Sequence, residues 1–109
     1  MTPAADEVGS LVVIVTVDAD REVMGDLLAH ASYGLSVFGD FEGYGGGRLH
    51  LSEDGTRLVQ YLRWRDRDTY ERCRDDGRWA DLESTKRFMA HVSAGRAVID
   101  DRLYRVVPS

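Results

Sequence analysis

The segment RLHLSEDGTRLVQYLRW, residues 48–64, gives the strongest local structural signal in the chain. Apolar and polar side chains alternate on both sides of Asp54-Gly55, and an Asp-Gly pair between two such runs is typical of a β-hairpin. We therefore expect two antiparallel strands. In the second strand, Gln60, Leu62 and Trp64 share one face, because successive side chains of a strand point to opposite faces.

The segments before the hairpin predict a strand, a helix and a glycine-rich connection. The run LVVIVTVD, residues 11–18, is nearly all apolar, as in a central strand covered on both faces. Asp18 or Asp20 can cap the helix that follows. Apolar residues recur along this helix at helical spacing: Val23, Leu27, Ala31, Leu35 and Phe38. The segment GDFEGYGGG, residues 39–47, predicts a loop or a strand whose backbone is closely approached.

The segments after the hairpin predict two helical stretches and a last strand. Asp66 is a suitable N-cap for a short helix that carries Tyr70 and is interrupted at Gly77. A second helix is expected over residues 78–91. The run RAVIDDRLYRVV, residues 96–107, predicts a final strand. On one face of that strand we expect Asp100, Arg102 and Tyr104.

The order β, α, β, β, α, β predicts an α+β fold of the ferredoxin-like, split βαβ kind with a four-stranded antiparallel sheet. Such a sheet carries its helices on one face, so we expect a second copy of the chain to cover the other. The expected assembly is a homodimeric α/β barrel, with a pocket between each sheet and its own helices. We expect residues 1–9 to form a disordered tail and residues 10–109 a single domain.

The composition excludes several classes of partner and site. The chain has 109 residues and a net charge of −5, and its central arginines alternate with acids, so no basic surface for nucleic acid or anionic lipid is expected. One cysteine, Cys73, excludes an internal disulfide and multi-cysteine metal sites; we expect a buried thiol. The longest apolar run, residues 11–15, is too short to span a membrane. A cytoplasmic location is expected.

The candidate site residues cluster around the end of the hairpin. Gln60 and Trp64 share a strand face, and together with Tyr70 they supply amide, indole and phenol donors to one apolar space. Each also has a structural interpretation, since Gln60 can form an internal hydrogen bond and Trp64 can belong to the core. His50 can accept a proton near neutral pH, or it can lie on the surface or at a dimer interface. His30 and His91 are expected to be polar helix residues that are exposed or partly buried. No metal, flavin, nicotinamide or haem motif is present, so we expect no cofactor.

The pattern Y-x3-R-L-H-L-S-E-D-G-T-x3-Q-Y-L-R-W-x5-Y, residues 44–70, resembles the antibiotic biosynthesis monooxygenases, which are small dimeric α/β-barrel proteins. It is most similar to their cofactor-free, quinone-forming oxygenases of aromatic polyketide pathways. The haem-degrading branch of the same superfamily requires a histidine on the helix after the tryptophan, and residues 67–76 contain none.

The resemblance implies an activity and a set of site residues. An aromatic anthrone or phenol would be deprotonated, would react directly with O2, and would leave as a quinone. Gln60, Trp64, Tyr70 and His50 match the positions of catalytic residues, although the family carries asparagine where Gln60 stands. Residues expected around the substrate are Leu49, Leu62, Trp79 and Arg87. Leu49 stands where relatives carry a tyrosine, and Ser84 stands about where they carry an arginine.

Two other functions are compatible with the same residues. A cyclase or isomerase of a polyketide tailoring pathway would use the same stabilisation of an enolate without O2. A non-catalytic dimer would bind a small aromatic ligand without converting it. Oxygen consumption separates the first alternative from the monooxygenase, and turnover separates the second.

Overall fold

The computed structural model describes residues 9–108, which contain one four-stranded sheet and four helices. Of the predicted tail, residues 1–8 lie outside the described residues, and the backbone N–H of Gly9 donates to the Val106 carbonyl at 2.8 Å. The elements in chain order are β1 (Leu11–Ala19), α1 (Arg21–Phe38), β2 (Tyr44–Leu51), β3 (Arg57–Trp64), α2 (Arg67–Arg74), α3 (Gly77–Ala80), α4 (Glu83–Ser93) and β4 (Ala97–Arg105).

The sheet has the strand order β2-β3-β1-β4 with every pair antiparallel, which confirms the predicted ferredoxin-like topology. The central strand, β1, is the apolar run that the sequence predicted. The hairpin at Asp54-Gly55 is also confirmed. The Asp54 carboxylate accepts hydrogen bonds from the hydroxyls of Ser52 and Thr56, both at 2.7 Å, and Gly55 has a φ of 78°. These contacts fix the turn and therefore the register of β3 against β2.

The helices cover one face of the sheet, which we call the inner face. Val13 and Val17 of β1 and Leu58 and Leu62 of β3 point to this face and are buried. Two apolar clusters fill the layer between sheet and helices. The first cluster includes Val17, Met24, Leu27, Ala31, Leu58, Phe88 and Ala97. The second includes Val13, Phe38, Phe41, Leu62, Trp64 and Cys73.

The other face of the sheet, the outer face, carries no helix among residues 9–108. It presents Ile14 and Thr16 of β1 and Tyr61 of β3, all partly buried, while Val98 and Tyr104 of β4 are 66% and 45% exposed. Val12 also lies on the outer face, but its side chain is buried, at 5% exposed. The sequence predicted helices on one face of the sheet only, and this is confirmed, because all four helices connect to the sheet on the same side.

The predicted helix over residues 78–91 is divided into α3 and α4. The Asp76 carboxylate accepts the backbone N–H of Arg78 at 2.8 Å and so begins a four-residue helix at Gly77. Leu82 then has extended backbone angles, φ −60° and ψ 139°, and α4 starts after it. The break redirects the chain, so that the first turn of α4 faces the inner side of the sheet.

The start of α2 is held against the loop that precedes β2. Asp66 caps the helix as predicted, accepting the Thr69 backbone N–H at 2.8 Å. Gly43 has a φ of 87°, and its Cα faces the buried side chain of Thr69 so closely that a Cβ there would overlap it. The carbonyl of Gly43 also accepts the N–H of Arg65 at 2.7 Å. Only glycine fits both the backbone angle and the space at position 43.

Within residues 9–108, no helix has the length and apolar character needed to cross a membrane.

Gly43→Ala is expected to lower the free energy of unfolding by about 1–3 kcal/mol, because alanine is strained in the left-handed backbone at this position and its Cβ displaces Thr69. Gly25→Ala is the matched control. Gly25 lies in α1 with nothing within 4 Å of an added Cβ, so alanine should stabilise the protein by about 0.5–1 kcal/mol. Urea unfolding followed by circular dichroism measures both. Equal effects at the two positions would contradict this account of Gly43.

Candidate functional site

A cavity of about 300 Å³ lies between the inner face of the sheet and the helices. Its wall is mostly apolar, with side chains from β1, β3, β4 and all four helices. The polar side chains on it are few: His30, Gln60, Tyr70, Arg74, Ser84, Thr85 and Asp101. An apolar space with a small number of polar groups is typical of a site for a small organic ligand.

Three residues predicted to be catalytic, Gln60, Trp64 and Tyr70, line this one cavity. Alternation along β3 directs Gln60 and Trp64 to the inner face. The capped start of α2 then places Tyr70 beside the indole, with ring centroids 6.0 Å apart in an edge-to-face arrangement. Two residues predicted to contact the substrate, Leu62 and Trp79, line the cavity as well.

The indole N–H of Trp64 is buried and has no hydrogen-bond partner among residues 9–108. The side chain is among the most buried in the protein, at 1% exposed, and it packs against the rings of Phe38, Tyr44 and Tyr70 at centroid distances of 5.2 to 6.0 Å. A buried donor without an acceptor costs roughly 1–3 kcal/mol. Because Trp64 lines the cavity, an acceptor oxygen on a bound ligand could satisfy this donor.

The phenol of Tyr70 is held in its protonated form. Burial raises its pKa above the ordinary value, and the negative charge of Asp101 raises it further, while the charge of Arg74 and a hydrogen bond with it oppose the shift. The Arg74 guanidinium also lies 5.7 Å from the centre of the Tyr70 ring. A protonated phenol in an apolar wall is a hydrogen-bond donor, as Trp64 is.

Five polar cavity residues were not predicted as site residues: His30, Arg74, Ser84, Thr85 and Asp101. In β4, alternation places Asp100 on one face and the adjacent Asp101 on the other. Asp101 is the residue that points inward. The register places Asp101 and Gln60 on either side of Val15, one strand away in each direction. The signal for Asp101 was therefore present in the alternation of β4. His30 and Ser84 come from different helices, and no local pattern links them.

The structure leaves three predicted site residues away from the cavity. His50 lies on the outer face and is exposed, because it pairs with Val59, which points outward on β3. Leu49 points inward but packs at the edge of the first apolar cluster. Arg87 is 65% exposed and pairs with Glu83 at 3.2 Å, since it lies on the solvent side of α4. Ser84, one turn earlier, reaches the cavity instead.

Cys73 is buried at the cavity wall, as the sequence predicted. Desolvation raises the pKa of its thiol to about 12, and the negative charge of Asp76 adds to this effect, whereas the nearby Arg78 opposes it. A thiol in this state is a poor nucleophile. Within the described part of the chain, no group of three or more His, Cys, Asp or Glu side chains could hold a metal ion.

The chain is similar in structure to solved oxygenases. No protein-family model and no curated protein sequence matches it. SnoaB, a cofactor-independent oxygenase from Streptomyces nogalater, superposes with a TM-score of 0.69 at 12% identity, over 93% of this chain and 96% of that one. Rv0793 from Mycobacterium tuberculosis gives 0.69 at 17% identity, over 92% and 97%. An antibiotic biosynthesis monooxygenase gives 0.68 at 17% identity, over 90% and 99%.

These superpositions cover nearly all of each chain, so they establish that this protein has the fold of the antibiotic biosynthesis monooxygenases. The fold expected from the hairpin pattern and from the order of elements is therefore confirmed. At identities of 12% to 17%, these similarities show that the arrangement of strands and helices is shared. They do not show that individual residues have the same chemistry.

Cys73 is expected to resist alkylation by iodoacetamide at pH 8 in the folded protein, at least a hundredfold more than in urea, because its pKa of about 12 leaves little thiolate. The folded pKa lies above the unfolded one. The thiol's contribution to stability is therefore complete below the unfolded pKa, near 9, and declines as pH rises towards 12. Mass spectrometry of timed samples measures the modification. Similar rates in the folded and unfolded states would contradict the burial.

Proposed function

We propose that this protein is a cofactor-independent monooxygenase of the antibiotic biosynthesis kind, which oxidises a polycyclic aromatic polyketide intermediate, an anthrone or phenol, to a quinone. One observation carries the proposal. Gln60, Trp64 and Tyr70 line a single apolar cavity and each carries a hydrogen-bond donor, and the buried indole N–H has no protein acceptor in residues 9–108. The cavity volume of about 300 Å³ lies at the lower end of the range for ligand pockets, which suits a few fused rings.

The donors suit a reaction in which negative charge develops on a substrate oxygen. In an anthrone, loss of a proton from the ring methylene moves charge to the carbonyl oxygen and gives an electron-rich enolate. Trp64 and Tyr70 would donate to that oxygen, and the Gln60 amide would donate to a neighbouring phenol oxygen. Fixed donors in an apolar wall stabilise such charge more strongly than water does, because they need no reorganisation.

The enolate then supplies the electrons that reduce O2. One-electron transfer followed by radical combination joins oxygen to the ring carbon and gives a peroxide. Loss of the second proton from that carbon and cleavage of the O–O bond leave a carbonyl there and release water. The methylene and O2 become a carbonyl and H2O, so atoms and electrons balance without a flavin or a metal.

The same donors also support the alternatives. A cyclase or isomerase would use the stabilised enolate for carbon–carbon bond formation or proton relocation. The presence of glutamine at position 60 favours this alternative, because the Gln60 side chain is one methylene longer than the asparagine that the resemblance implies. A displaced amide alters how the ring is oriented, and orientation controls which reaction follows.

We also propose that two copies of the chain associate through the outer faces of their sheets. The outer face carries Ile14 and Tyr61 near its centre, and Val98 and Tyr104 are exposed on β4. A monomer that leaves a broad sheet face with apolar side chains in water is unusual. Pairing would bury this face and would leave each cavity inside its own protomer.

Purified protein is expected to oxidise dithranol to its quinone faster than the uncatalysed rate in air, and not under argon. Trp64→Phe should lower the rate at least tenfold, because the indole donor is lost. Tyr70→Phe should lower it severalfold. Tyr33→Phe is the matched control, since Tyr33 is exposed on α1 and away from the cavity. Quinone absorbance and an oxygen electrode measure the reaction together.

Two results would contradict the monooxygenase proposal. Binding of dithranol without O2 consumption above background would favour the cyclase or the binding protein. Turnover that is unchanged in Trp64→Phe and Tyr70→Phe would show that the chemistry occurs elsewhere.

Sedimentation equilibrium is expected to give about twice the 12.2 kDa mass of one chain. Ile14→Lys should shift the protein to a monomer, because a charge at the centre of the outer face opposes its burial. Glu53→Lys, a charge change at an exposed position of the hairpin turn, is the control and should remain dimeric. A wild-type protein that sediments at the mass of one chain would exclude this dimer.

A further inference from the structure

A chain of polar contacts leads from the cavity wall to the protein surface. Ser84, in the first turn of α4, and His30, in α1, both line the cavity, and Ser84 Oγ lies 3.2 Å from His30 Nδ1. The other ring nitrogen, His30 Nε2, lies 3.3 Å from a carboxylate oxygen of Asp26, one turn earlier in α1. The second oxygen of Asp26 lies 2.6 Å from His91 Nε2, in α4.

The partners of this network determine the direction of each hydrogen bond. Arg96 donates to His91 Nδ1 at 3.0 Å, so the proton of a neutral His91 ring is on Nε2 and is donated to Asp26. That hydrogen bond lowers the pKa of Asp26, outweighing the effect of its partial desolvation, so the side chain is a carboxylate that accepts from His91 and lies 3.3 Å from His30 Nε2. The nearby carboxylate favours the His30 tautomer with its proton on Nε2, and in that tautomer Nδ1 accepts a hydrogen bond from the Ser84 hydroxyl.

We propose that Ser84 and His30 together form the proton acceptor of the cavity and that Asp26 positions His30 for this task. The inference deepens the proposed function, on which it rests, by assigning the group that removes the substrate proton. A histidine that is 16% exposed, with one nitrogen directed to a carboxylate and the other to a hydroxyl on the cavity wall, has the arrangement of an activated base.

The proton transfer balances in atoms and in charge. The substrate C–H or O–H bond breaks, and its proton passes to Ser84 Oγ as the hydroxyl proton of Ser84 passes to His30 Nδ1. The electron pair of the broken bond remains on the substrate as the enolate. The imidazolium faces the carboxylate of Asp26 through Nε2. When the peroxide cleaves, the departing oxygen recovers this proton as water, and His30 is neutral again.

The other ionisable groups on the cavity wall are less suited to this step. Cys73, with a pKa raised to about 12 by burial, is a protonated thiol, and the raised pKa of Tyr70 keeps its phenol protonated. Arg74 has no acceptor. Asp101 is exposed at the edge of β4, and a carboxylate is a weaker base than imidazole towards an enolisable carbon. His30 is therefore the base on the cavity wall that contacts both a hydroxyl and a carboxylate.

Deuterium exchange without oxygen tests the proposal separately from the oxygenation. Dithranol is incubated under argon in D2O with the protein, and proton NMR follows loss of the ring-methylene signal above the uncatalysed rate. His30→Gln is expected to lower the catalysed exchange at least a hundredfold, and Ser84→Ala about tenfold, within the range for general-base catalysis. His50→Gln makes the same change in the histidine on the outer face. Loss of exchange in His50→Gln, with exchange by His30→Gln unaffected, would overturn the proposal.

A second pair of measurements separates chemistry from packing. Added imidazole should restore at least part of the exchange in His30→Ala, where it can occupy the vacated space, and should not restore it in Trp64→Phe. Asp26→Asn should lower the exchange rate at saturating dithranol severalfold while its dissociation constant, measured by equilibrium dialysis, stays within twofold. A variant that loses binding and rate together, without rescue by imidazole, would identify His30 as structural and overturn the proposal.

The two proposals can fail separately. Exchange that depends on His30, with no O2 consumption in air, would retain the proton acceptor and replace the monooxygenase by the cyclase or isomerase. Quinone formation that depends on Trp64 but is indifferent to His30 and Ser84 would retain the monooxygenase and overturn this inference.

Discussion

The alternation of side chains along β3 controls both sides of the sheet. One face of this strand supplies Leu58 to the core and Gln60, Leu62 and Trp64 to the cavity, and the other face points away from every helix. A shift of one residue in register would exchange the two sets and would move the indole into solvent. The hydrogen bonds of the Asp54 turn oppose such a shift. Cavity and outer face are therefore fixed by the same local geometry.

The free energy of the core is connected to the chemistry of the site through Trp64. Its ring contacts three other aromatic rings, and burial of a side chain of this size contributes several kcal/mol to folding. Its N–H, by contrast, remains without a protein acceptor in residues 9–108. Packing thus holds a polar atom where it has no protein partner. A ligand oxygen that accepted this bond would recover free energy that folding alone does not.

The sequence predicted those features that depend on neighbouring residues. The Asp-Gly turn, the Asp66 cap and the shared face of Gln60 and Trp64 all follow from local rules, and the structure contains them. The division into α3 and α4 was missed because residues 78–91 have helical spacing throughout, while the break lies at Leu82, whose extended backbone no local pattern marks. The contact between His30 and Ser84 joins residues 54 positions apart in two helices, so no local pattern could reveal it. The position of His50, in the cavity or on the surface, was left open because alternation alone does not say which face of β2 points inward, whereas its pairing with Val59 of β3 does.

The positions of the tryptophans have a practical consequence. The chain has two, Trp64 and Trp79, and both belong to the wall of the cavity. The tryptophan fluorescence of the protein therefore originates entirely at the site, without background from indoles elsewhere. An aromatic ligand that enters the cavity will quench or shift this emission directly. The native protein thus carries its own optical probe, which can be used to screen compounds before any activity has been measured.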